Sequence, residues 1–122
     1  MRKDEFMSIY ENADINAGIV AQLETEYKSS IPEEVAKLIS LNLDKLSDNS
    51  RVMDIAEICR SSELYGVDFI GKKIIPCIDC FDNDFIVYDL KTMKWMSFNI
   101  VDEIAFGDSY PDLENVLSSL LE

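Results

Sequence analysis

Three short apolar blocks, Ile74–Ile78, Phe85–Leu90 and Trp95–Ile100, follow one another with only polar turn residues between them. Each is of strand length and is rich in β-branched and aromatic residues. Asp82-Asn83-Asp84 and Lys91-Thr92-Met93 are short enough to close two hairpins, so the three blocks are expected as an antiparallel meander. Alternation puts Phe85, Val87 and Asp89 on one face and Ile86, Tyr88 and Leu90 on the other. Both faces are apolar. The sheet therefore needs cover on at least one side, and helices from the two ends of the chain are the material available.

The helical material is readable from its punctuation. In Ser30-Ile31-Pro32-Glu33-Glu34-Val35-Ala36-Lys37-Leu38-Ile39, Ser30 can cap a helix and Pro32 suits its first turn, where no amide hydrogen is needed. Glu33 and Glu34 complement the positive helix N-terminus, and Val35, Leu38 and Ile39 share one face. Upstream, Asp14 is expected to cap a helix that buries Ile15, Ile19, Leu23 and Tyr27, widened by Val20. Gly18 inside that helix favours close packing against another element. Ser47-Asp48-Asn49-Ser50 is a turn cluster, and Val52-Met53-Asp54-Ile55 reads as a short strand turning into a helix that ends near Ser62. Asp54 and Glu57 stand at capping-box spacing. Glu63 to Lys73, with Gly66 and Gly71, is expected as a loop or irregular edge strand. Tyr110-Pro111-Asp112 starts a last amphipathic helix through Leu113, Val116, Leu117 and Leu120. The expected class is α+β, an antiparallel sheet packed by N-terminal and C-terminal helices. Residues 1–13 are expected as a polar extension, in which Phe6, Ile9 and Tyr10 can form a short helical turn, and residues 14–122 as a single domain.

From Ile15 to Leu121 this order of elements resembles the SUKH superfamily. The pieces that carry the resemblance are Leu23-Glu24-Thr25-Glu26-Tyr27, the Ile31-Pro32 helix entry, Val52-Met53-Asp54-Ile55, Ile75-Pro76, Ile86-Val87-Tyr88-Asp89 and the C-terminal helix. The chain departs from the family in lacking the Asn-Gly pair that often ends the second helix; it runs Ser40-Leu41-Asn42-Leu43-Asp44-Lys45-Leu46 instead. The resemblance implies a SUKH-like fold and a protein of the immunity class, which binds and neutralises a toxin domain, often a nuclease, in bacterial polymorphic toxin systems. A non-enzymatic regulatory or scaffold module is the alternative it leaves open.

Charge bears on the same question. There are 24 acidic residues against 11 basic ones and no histidine, for a formal charge of -13. A chain so acidic repels nucleic acid and attracts basic protein surface, although acidity also serves solubility. From Trp95 to the C-terminus there is no lysine or arginine at all, while Asp102, Glu103, Asp108, Asp112, Glu114 and Glu122 are present. No apolar run approaches the ~20 residues of a membrane span, and Met1-Arg2-Lys3-Asp4-Glu5 is not followed by the apolar core of a signal peptide. A cytoplasmic location is expected, with its cysteines reduced.

No constellation reads as a catalyst. Cys77-Ile78-Asp79-Cys80 has the spacing of zinc knuckles and redox pairs, but Cys59 is the only other thiol, too few for a structural zinc. Asp79, Asp82 and Asp84 lack the glycine and closing glutamate of a calcium loop. Asp102 and Glu103, adjacent in sequence, would diverge on a strand. Neither a metal nor a cofactor is expected. Trp95 is either core or a binding anchor. The expected partner surface is the acidic end of the sheet: Asp79, Asp82 and Asp84 at one turn, with Asp102, Glu103 and Asp108 after the last strand.

Overall fold

The computed structural model describes residues 1–121. In chain order the elements are α1 (Lys3–Glu11), α2 (Ala17–Tyr27), α3 (Glu33–Ser40), β1 (Arg51–Val52), α4 (Ile55–Cys59), α5 (Ser61–Tyr65), α6 (Phe69–Lys72), β2 (Ile74–Asp79), β3 (Asp84–Asp89), β4 (Lys94–Asn99), β5 (Ile104–Tyr110) and α7 (Leu113–Leu120). The protein is α+β. All five strands join one antiparallel sheet in the order β1-β2-β3-β4-β5. No described helix is long and apolar enough to cross a membrane.

The meander β2-β3-β4 lies where alternation and turn chemistry put it. Its β3–β4 register is regular, pairing Phe85 with Phe98 and Tyr88 with Trp95. Side chains three apart on a strand face opposite ways, so these two aromatic rows serve two different faces. Tyr65 and Phe69 pack on the Phe85–Phe98 row, with ring centroids 4.9 to 6.3 Å apart. On the other row Tyr88 meets Trp95 edge to face at 5.1 Å. Pro76 lies in β2 opposite Val87, directly before a register shift that leaves Cys77 without an opposite residue, and bulges are among the places where a strand accommodates proline.

Several boundaries differ from expectation, each for a local reason. The first thirteen residues are part of the domain rather than an extension. Phe6 on α1 is buried in the core cluster that includes Val116 and Leu117, while Arg2, Asp4 and Glu5 stay exposed. Phe6 is the fully buried anchor of this helix, with Met7 and Tyr10 packed against the core beside it. Asn16, not Asp14, caps α2, its side chain accepting from the amides of Gly18 and Ile19, which leaves Ile15 exposed. Leu23 still reaches the core, and the Tyr27 hydroxyl donates to the Ile74 carbonyl at 2.8 Å. For α3 the cap position falls on Pro32, without a side-chain bond, and Ser30 plays no capping part. Asp54 and Asp112 do cap α4 and α7, accepting from Glu57 and Asn115 amides at 2.8 and 2.9 Å. Glu63 to Lys73 is not a strand: it carries the end of α5, which stops at Gly66 in the left-handed region, and all of α6, capped by Asp68. Both helices are too short for hydrophobic periodicity to declare itself.

Candidate functional site

In an antiparallel meander the β2–β3 and β4–β5 turns emerge at the same end of the sheet, and here they are bonded together: the Ile100 amide donates to the Asn83 carbonyl at 2.9 Å. Successive cross-strand rows build the surface below them. Asp84 on β3 lies opposite Asn99 on β4, which lies opposite Ile104 on β5; one step further, Ile86, Ser97 and Phe106 form the next row on the same face. Asp84, Asn99, Asp102, Ile104 and Phe106 line a shallow groove of about 230 Å³.

Asn99 organises this corner. Its amide nitrogen donates to Asp84 at 2.9 Å, and its oxygen accepts from the amides of Val101 and Asp102 at 3.0 and 2.9 Å. The β4–β5 turn is therefore an Asx turn, and the same side chain that forms it holds Asp84 in the groove.

The apolar side chains here are open to solvent. Ile104 is 55% exposed and Phe106 42%, and Val101 and Phe81 are exposed as well. Phe81, Asp82 and Asn83 form a run of three left-handed residues, with φ of 63°, 49° and 69°. Asp and Asn tolerate that conformation through local hydrogen bonds, but a phenylalanine does not prefer it, and such strain concentrates at functional turns.

The acidic residues singled out from sequence divide into three groups. Asp82, Asp102 and Glu103 are exposed at the two joined turns, and Asp84 is half-buried in the groove beside them. Asp79 is not available to a partner. Arg51 donates to it at 2.9 Å and to Glu57 at 2.6 and 2.8 Å, while the other Asp79 oxygen accepts from the Phe81 amide. Asp79 thus holds β1 to β2 and shapes the strained turn. Tyr65 completes this network, donating to Glu57 at 2.6 Å. The Arg51 hydrogen bond draws the Glu57 carboxyl below its ordinary range, against the opposing effect of burial. Asp108 is set apart differently, in β5 itself, where Gly107 (φ 70°) and Asp108 fall at a register shift and have no opposite residue on β4. Asp102 and Glu103 do not diverge along a strand, because both belong to the turn, Glu103 at a φ of 55°.

Sequence reasoning passed over Asn99, Ile104 and Phe106. Asn99 directly before an acidic turn is a recognisable Asx signal. Ile104 and Phe106 alternate correctly, but Gly107-Asp108 interrupts the pattern after three residues.

Trp95 belongs to the core. It is fully buried, and its indole nitrogen donates to Glu34. Cys77 is buried within β2 and Cys80 half-buried after it; burial pushes both thiols up, Cys80 to about 11. Thiolates, which do metal and redox chemistry, are thus disfavoured at both positions.

No protein-family model, curated protein or solved structure matches this chain.

Proposed function

We propose that this protein is an immunity protein with a SUKH-like fold, which neutralises a toxin domain, a basic nuclease, by occupying its phosphate-binding surface from the cytoplasmic side. The observation that carries the reading is the joined end of the sheet: Asp84 and Asp102 line an open groove with Ile104 and Phe106, and Asp82 and Glu103 are exposed on the turns beside it, in a chain of net charge -13. A nuclease presents lysines and arginines to its substrate, and carboxylates around exposed apolar side chains suit that surface as a rim suits an interface core. Acidic turns speed the encounter, and Phe81, Ile104 and Phe106 supply area that excludes water. No chemistry is needed, since steric and electrostatic occupation of the phosphate site suffices. The helix order before the meander and the amphipathic α7 after it support the SUKH-like assignment.

The test is co-expression with toxin domains encoded beside this chain, together with association rates measured at several salt concentrations. Protection is expected, with an association rate that falls as salt rises, because exposed charges are screened beyond about 8 Å at physiological ionic strength. Asp82→Lys with Glu103→Lys should slow association about tenfold and shift stability by no more than ~0.5 kcal/mol. Binding to a partner without protection would favour the regulatory or scaffold reading instead.

A further inference from the structure

The two edges of the sheet are built differently. β1 has two residues, and its Arg51 is held by Glu57 and Asp79, so that edge is short and clasped. β5 is seven residues long and pairs only with β4. From Ile104 to Ser109 every residue is exposed, and alternate residues of an edge strand turn their N–H and C=O groups outward. Natural edges of this kind are guarded by shortness, by lysine, proline or inward-facing charge, or by a β-bulge. β5 has neither lysine nor proline; the Gly107-Asp108 bulge shortens the open stretch to Ile104–Phe106 without covering it.

We infer that β5 is a docking edge, to which an extended basic segment of the partner protein adds as a sixth strand along Ile104–Phe106. Charge selects the occupant. Asp102 and Glu103 precede the open stretch, Asp108 follows it, and no cation occurs in the sequence after Lys94. A segment with lysine or arginine at both ends of a short apolar stretch places cations beside these flanking carboxylates while its apolar side chains cover Ile104 and Phe106. A second copy of this chain is disfavoured, because pairing two such edges sets three carboxylates of one against three of the other. The inference rests on the neutralising role proposed above, for which it supplies the mode of contact.

Amide hydrogen exchange on the full chain tests it, with a capped peptide of about ten residues, valines flanked at both ends by lysines, as the probe. Exchange at Ile104–Phe106 should slow about tenfold or more at saturation. The same peptide with every backbone nitrogen methylated, which removes the donors of both its edges, should give no protection, and neither should its glutamate-for-lysine counterpart. Unchanged exchange, or equal protection by the methylated or acidic peptide, overturns the proposal. Ile104→Lys with Phe106→Lys should weaken peptide binding about tenfold, with far-UV circular dichroism reporting the fold; the methylated peptide makes the same test on the unaltered protein. The two readings fail separately. A toxin domain that binds and is neutralised with exchange in β5 unaltered overturns edge docking alone. Peptide protection of β5 with no toxin domain bound overturns the neutralising function alone.

Discussion

The carboxylate of Glu34 accepts from the Trp95 indole nitrogen through one oxygen and from the Leu113 amide through the other, both at 3.0 Å. One side chain on the first turn of α3 thereby satisfies the most deeply buried aromatic of β4 and an otherwise unpaired amide at the start of α7. Glu34→Ala leaves a buried indole donor without a partner and should lower stability by about 2 to 3 kcal/mol. Glu34→Gln keeps an acceptor for one of the two bonds and should cost less. Urea titration of both variants checks the order.

Phe6→Ala should destabilise the whole domain, not merely fray its first helix. Phe6 has no exposed surface, and truncating such a phenylalanine costs about 3 to 5 kcal/mol. A single unfolding transition displaced to lower denaturant is the expected result. Loss of α1 helicity with an unchanged midpoint would make α1 an appendage.

Acid should weaken the protein partly through Glu57. Its folded carboxyl titrates below the ordinary value of 4.5, chiefly because Arg51 donates to it. The unfolded chain therefore binds that proton first. The stabilisation is complete above the unfolded value and is lost as pH falls through the folded one. In Arg51→Gln this pH dependence should flatten, with a cost at neutral pH of about 1 to 3 kcal/mol for leaving Glu57 and Asp79 half-buried without their cation. Denaturation midpoints between neutral pH and about pH 3 measure both effects.

Phe81→Gly should raise stability and lower partner binding together. Glycine relieves a left-handed conformation that costs an ordinary residue about 1 to 2 kcal/mol, although its freer unfolded chain cancels part of that gain. If the exposed ring is an anchor, its removal should weaken the complex about tenfold or more. Thermal melts and equilibrium binding read the two signs independently.

Alkylation should be slow at every cysteine of the native protein near neutral pH. Burial raises the thiols of Cys59, Cys77 and Cys80, and Cys77 has no exposed surface. Cys77 should be modified only on unfolding, as mass spectrometry after timed alkylation would reveal. Chelators should leave the melting temperature unchanged.

Strands β2 to β4 were legible because each is a short apolar, β-branched and aromatic block bounded by polar turn residues, and α7 because Pro111-Asp112 stands directly before an apolar stripe. The acidic turns were legible for the same reason. What escaped was either short or long-range. α5 and α6 span five and four residues, less than a helical period needs to repeat. β5 loses its alternation at Gly107-Asp108, so Ile104 and Phe106 looked like loop. Asp79 read as a free surface charge because its cation, Arg51, lies 28 residues upstream. Glu34 looked sufficiently explained by the helix N-terminus, while the two donors it serves lie 61 and 79 residues away.

The inequality of the sheet's two edges has a consequence for the protein at high concentration. Head-to-tail stacking, in which β5 of one molecule joins β1 of the next, would generate an open-ended fibre from repeated contacts. β1 offers only two residues, fastened through Arg51, so the chain of additions ends at its first step. An exposed strand can thus be retained on one side without making the molecule a monomer of a polymer.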